Sequence, residues 1–175
     1  MTKRFLWTIT LCNAIIPFWI IENNMEALVK NRTDNLLKNI NKAIINFRGI
    51  YYVWSSKHGI SYNEMLVLYT IRDEGFCTQK QVCDHYLLPR QTINNVISNM
   101  RKEGLLELSK EKSIGREKAF VLSERGKKYA EPFLTSLSEV ENQAVEKLGS
   151  QKLVQLTKLL SEYDRELRRA LEDEK

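Results

Sequence analysis

Prolines and glycines are scarce, three and seven among 175 residues. That leaves little room for long loops, and a mostly helical chain is expected. Cysteine is scarcer still: Cys12, Cys77 and Cys83 are odd in number and follow no repeated spacing. This excludes a disulfide framework and fits a reducing compartment, so a cytoplasmic location is expected. The two histidines, His58 and His85, form no pair at zinc-ligand spacing. There is no glycine-rich phosphate loop, no Gly-x-Ser-x-Gly elbow and no Cys-His arrangement with a third member. The expectation is a protein that is not an enzyme, with no metal and no cofactor. Internal repeats, low-complexity tracts and a domain linker are lacking too.

What is present is enough apolar residue, 43% against 28% charged, to support a folded core. The charge is placed unevenly. Residues 76–128 hold eleven of the 27 Lys and Arg but six of the 22 Asp and Glu, so this third of the chain carries the whole net charge of +5. A localised basic field suits a polyphosphate partner, although a lysine-rich solvated face reads the same way by charge alone. The N-terminus is different in kind. Phe5 to Ile21 is an uncharged run of 17 residues behind Lys3 and Arg4. It has the look of a signal sequence or short span. Thr8, Thr10 and Asn13 dilute it, Pro17 interrupts it, and no small-residue cleavage site follows. Residues 1–24 therefore read as an upstream extension, such as a misplaced start before Met25 would give, or as a membrane anchor or an added dimer contact.

Farther along, Leu37, Ile40, Ile44, Phe47, Tyr51 and Trp54 follow a heptad-like spacing. They predict a long helix capped by Thr33 or Asp34 and stopped by Gly59, with a seam that asks for a partner. Ser61 with Glu64, and Thr78 with Gln81, have capping-box spacing and open a second and a third helix. A fourth helix runs from about Pro89 to Glu103 and ends at Gly104. Its buried stripe is Ile93, Val96, Ile97 and Met100, and its opposite face carries amides, hydroxyls and bases with no acid before Glu103. Leu105–Ser109 and Lys118–Leu122 read as two short strands around a basic turn, Lys112 to Arg116. Ser123 caps a fifth helix, which Pro132 should bend or split. A last helix carries Leu153, Leu156, Leu160, Tyr163, Leu167 and Leu171 in a second seam.

This order of elements resembles the MarR family of winged helix-turn-helix transcriptional regulators over about residues 33–170. The residues carrying the resemblance are Ile60-Ser61 with Glu64 and Leu68, the run Thr78 to Val82, the run LPRQTINNVISNMRKEGL at 88–105, and Arg116 followed by Leu122-Ser123 and Gly126. One departure stands out: the family often has an acid two residues before the wing arginine, and here that residue is Ile114. The resemblance implies a mainly α fold with a small β-hairpin wing. It divides the chain into residues 1–24 as an apolar extension, 25–59 as a first dimerisation helix, 60–126 as the winged helix-turn-helix domain and 127–175 as C-terminal dimerisation helices. The implied function is a sequence-specific regulator of transcription, a repressor, that binds double-stranded DNA as a homodimer. A protein-interaction winged helix and a membrane-tethered regulator are the alternatives, the latter only if residues 1–24 are an anchor.

The residues fit that function. Gln91, Asn94 and Asn95 can bond adenine edges through their amides in a major groove. Arg90 suits guanine or phosphate, and Thr92 and Ser98 suit phosphates or base edges. Arg116 at the hairpin tip suits a narrow minor groove, with Lys112 and Lys118 on flanking phosphates. The family's small aromatic effectors bind between the dimer base and the DNA-binding lobe, which singles out Phe47, Tyr51, Trp54, His58 and Tyr69, with Tyr52 beside them. By spacing alone these aromatics favour plain core packing. Cys77 and Cys83 read as buried small hydrophobes rather than redox sensors.

Overall fold

The computed structural model describes the backbone of residues 8–11 and 14–174, and the side chains of Lys30 and residues 32–174. It divides into two compact units, Met1–Lys57 and His58–Lys175. Cys12 lies outside the described residues.

In the first unit, strands β1 (Thr8–Leu11) and β2 (Ala14–Pro17) pair antiparallel and precede helix α1 (Phe18–Lys57). The helix begins well before the expected cap at Thr33 or Asp34. From Phe18 to Arg48 there is neither Gly nor Pro. Mid-helix Thr, Asp and Asn cost only tenths of a kcal/mol each, so nothing forces a start at Thr33. No helix among the described residues is long and apolar enough to cross a membrane.

The second unit holds five helices and a small sheet: α2 (Tyr62–Glu74), β3 (Cys77–Thr78), α3 (Gln79–Tyr86), α4 (Arg90–Lys102), β4 (Leu106–Ile114), β5 (Glu117–Leu122), α5 (Glu124–Leu148) and α6 (Ser150–Asp173). This is the expected mainly helical chain with a small hairpin. The added feature is β3, which pairs with β5 to make a three-stranded antiparallel sheet in the order β3-β5-β4. Ser61 caps α2 by accepting from the Glu64 amide, but the box is only half formed. The Glu64 carboxylate instead accepts from the Tyr129 hydroxyl at 2.7 Å, tying α2 to α5. Thr78 and Gln81 do form the complete box at α3. Pro132 does not split α5, which runs unbroken through it. Pro132 and Lys128 are both exposed, so the Lys128 carbonyl left without its helical donor can turn to water.

The core gathers Met65, Val67 and Leu68 of α2, Val82 of α3, Ile93 and Ile97 of α4, and Leu105, Ala119 and Phe120 around the sheet. Gly126 shows why the start of α5 tolerates no side chain. A Cβ there would stand 2.0 Å from the Leu105 carbonyl oxygen. The approach is held by Ser123, whose amide donates to the Leu105 carbonyl at 3.0 Å and whose hydroxyl donates to the Gly104 carbonyl at 2.6 Å. In contrast α6 buries no residue at all.

Candidate nucleic-acid interface

Helix α4 owes its place to its amphipathic pattern. Ile93, Ile97 and Met100 are buried, which turns Arg90, Gln91, Asn94, Asn95 and Arg101 outward. Pro89 takes the cap position, one residue before the expected first turn, and has no side-chain bond to give. The preceding turn passes through Leu87, a non-glycine residue in the left-handed region at φ 52° and 88% exposed. Gln79, the first residue of α3, reaches across and donates its amide to the Arg90 carbonyl at 2.8 Å. The side chain of one helix start thus holds the start of the next.

Between α4 and the hairpin lies an open cleft of about 520 Å³. Arg90, Asn94 and Ser98 line it from the expected set on α4, and Arg116 and Lys118 line it from the wing. Gln91 and Asn95 lie one step round the helix, about 100° from that stripe. They bond to each other, the Gln91 amide donating to the Asn95 carbonyl oxygen at 2.9 Å. That pairing leaves the Gln91 oxygen and the Asn95 amino group as the pair's outward functions. Thr92 is half-buried at the base of the helix.

Beyond the expected set, the cleft brings in Gln79, Lys80 and Glu117, and also Arg101 from the outer face of α4. The Arg101 guanidinium lies over the Phe120 ring, 5.3 Å from its centroid, which fixes a long side chain against the sheet. With Lys80, Arg90, Arg116 and Lys118 it makes five cations around one acid, Glu117. Glu117 is engaged, accepting from the Thr78 hydroxyl. A concave surface with this charge concentrates anions, above all a repeating one.

The wing differs from a plain hairpin. Ile114 pairs with Glu117 across the turn Gly115-Arg116, which sets Arg116 at the tip. Below the tip the register shifts between Ser109 and Ile114. Ser113 fills the irregularity, its hydroxyl donating to the Ser109 carbonyl at 2.6 Å and accepting from the Ala119 amide at 3.0 Å. Ile114 is 81% exposed. Lys112, expected alongside Lys118, lines a second cleft of about 230 Å³ with Phe76, Thr78, Gln81, Ile114 and Glu117, the last shared with the first cleft, and pairs weakly with Glu111 at 4.0 Å.

The aromatic candidates divide between the units. On α1, Phe47 and Tyr51 meet edge to face with centroids 5.5 Å apart, and Trp54 follows one turn on. In the second unit, His58 Nε2 is 3.3 Å from the Ser136 hydroxyl. The Tyr69 hydroxyl donates to Glu141 at 3.2 Å while Arg72 stacks on its ring at 3.9 Å. Burial, and then the Glu141 charge, push the Tyr69 hydroxyl above its ordinary range. Burial also pushes the Cys77 thiol up to about 12, and Cys83 moves in the same direction. Neither is an activated thiolate.

Residues 58–117 match the MarR family model. Among solved structures, the chain is similar to NMB1585, a MarR family regulator from Neisseria meningitidis, at 26% identity and TM-score 0.71, covering 80% of this chain and 99% of that one. It shares the fold of a putative MarR family transcriptional regulator from Listeria monocytogenes, solved in complex with a 26mer DNA, at 17% identity and TM-score 0.57, with 75% and 87% covered. It likewise shares the fold of NadR in complex with 4-hydroxyphenylacetate, at 20% identity and TM-score 0.61, with 71% and 91% covered. A sequence search of curated proteins finds no match.

Proposed function

We propose that the chain is a sequence-specific regulator of transcription of the MarR family, whose model matches residues 58–117, and that it binds double-stranded DNA and performs no chemistry of its own. The observation that carries this reading is the basic cleft between α4 and the wing. Its polar face is built of amides, hydroxyls and bases, and its single acid is already bonded. Arg90, Gln91, Thr92, Asn94, Asn95 and Ser98 enter the major groove on α4. Arg116 follows the neighbouring minor groove, and Lys118 holds phosphate. The DNA complex of the Listeria regulator of the same fold supports DNA as the partner.

The working form is a cytoplasmic homodimer acting as a repressor. The apolar surface of the outer helices supports the dimer. On one face of α6, Leu156, Leu160, Leu167 and Leu171 are 47%, 44%, 47% and 64% exposed, and on the seam of α1 Ile44 and Phe47 are 42% and 61% exposed. An apolar stripe left exposed along one face of a helix marks an interface rather than a solvated face. Residues 25–59 and 127–175 are the dimerisation segments, and 60–126 the DNA-binding domain. A small aromatic ligand relieves repression, a reading supported by NadR, of the same fold, with its bound 4-hydroxyphenylacetate.

Selection from a random duplex library with the full-length protein tests the proposal. Enrichment of a two-fold symmetric site, with half-sites about 10 base pairs apart, is the expected outcome. Recovery of unenriched sequence, with binding that scales only with duplex length, would reduce the chain to a non-specific binder. No binding at all would favour a protein-interaction module.

A further inference from the structure

We infer that Glu117, through its bond from Thr78, is the positioning residue of the wing, setting where Arg116 stands relative to α4. The inference rests on the DNA-binding reading and deepens it.

An acid is out of place in a cleft meant for phosphates. By charge alone, Glu117 opposes everything its neighbours Arg116 and Lys118 attract. Its geometry explains its presence. The strand β3 secures the wing through two residue pairs only, Cys77 with Phe120 and Thr78 with Ala119. Toward the tip that support ends. On the other side, the β4 ladder is interrupted between Ser109 and Ile114, directly below the tip. One backbone pair, Ile114 with Glu117, is left to carry Gly115 and Arg116. The hairpin ladder therefore holds the tip together without fixing its direction.

Thr78 supplies that direction. Its buried hydroxyl accepts from the Gln81 amide at 3.0 Å and donates to the Glu117 carboxylate. The same hydroxyl thus caps α3 and grips the residue next to Arg116. Its neighbour Gln79 grips the Arg90 carbonyl at the start of α4. The dipeptide Thr78-Gln79 ties the wing and α4 to one point, the start of α3. The spacing between groove-reading helix and minor-groove arginine is then set by two side-chain bonds from adjacent residues.

The test is a double-mutant cycle on DNA affinity. The probe is the duplex that wild-type protein enriches from a random library. Arg116→Ala is measured in three backgrounds: wild type, Glu117→Gln and Glu117→Ala. Both Glu117 changes remove the same negative charge, but only glutamine keeps an oxygen to accept from Thr78. Arg116→Ala is expected to weaken binding about tenfold in wild type and in Glu117→Gln, and less than about threefold in Glu117→Ala. Thr78→Ser, which keeps the hydroxyl, should behave as wild type. Thermal melting of each variant reports the stability of the fold separately from the cycle.

An undiminished loss in Glu117→Ala would overturn the inference, because Arg116 would then be placed without the bond. Loss of coupling in Glu117→Gln as well would overturn it in favour of a charge effect. No effect of Arg116→Ala in wild type would leave nothing to position, while an accompanying loss on Asn94→Ala would keep the α4 reading standing. Failure of wild type to enrich or bind any duplex would remove the DNA reading itself.

Discussion

Single residues settle how tightly the DNA-binding unit is assembled. Gly126 is the sharpest case, because the atom an alanine would strike is backbone oxygen rather than a yielding side chain. Gly126→Ala should therefore cost about 2–4 kcal/mol, read as a lower urea midpoint with an unchanged slope. A loss below about 0.5 kcal/mol would mean that α5 moves aside freely. Leu87 stands at the opposite extreme. Its backbone is left-handed and its side chain packs on almost nothing. Leu87→Gly should raise stability by about 0.5–1 kcal/mol in the same measurement, since glycine relieves the steric penalty and no burial is lost. Cap residues were legible in the sequence because their chemistry is local: Ser61, Thr78 and Ser123 each bond an amide three residues on. The Leu122-Ser123-x-x-Gly126 pattern was visible too, but not its cause. The Leu105 carbonyl lies 21 positions away in the chain, and only the fold brings it to Gly126.

Among the elements, α4 and the hairpin were readable from amphipathic spacing and from a basic turn. Their relation was not. The two-residue strand β3 is too short for any periodic signal, and its residues read as a cap and the residue before it. Missing β3 meant missing what the start of α3 does, and hence Gln79 and Lys80. Arg101 was visible on the outer face of α4, but its stacking on Phe120 depends on the sheet. The start of α1 at Phe18 escaped because a cap-forming residue such as Thr33 marks a permitted start, not a required one. The wing yields a prediction that separates its two lysines. Lys118 lines the cleft with Arg90 and Arg116, and Lys112 lines another with Phe76. Lys118→Ala should lower the slope of log affinity against log salt by about one, and Lys112→Ala by clearly less. Equal slopes would mean that DNA reaches both faces of the hairpin.

For the whole molecule, the proposed homodimer would make two α4 helices act as one reader. Affinity for a two-half-site duplex would then depend on α6 as well as on α4. Leu156→Glu with Leu160→Glu would place charge in the proposed apolar interface, at a cost of several kcal/mol. Sedimentation should show monomer or aggregate, and an unchanged dimer would move the interface elsewhere. Sequence reading by α4 is separated from plain phosphate binding by titration. Wild type, Gln91→Ala, Asn94→Ala and Asn95→Ala are titrated against the enriched duplex and a scrambled duplex of the same length. Each substitution should cost about 1–3 kcal/mol on the enriched duplex, relax preference at one base pair per half-site and leave scrambled DNA unaffected. Affinity and base preference unchanged in all three variants would contradict this expectation, and α4 would not be the reader.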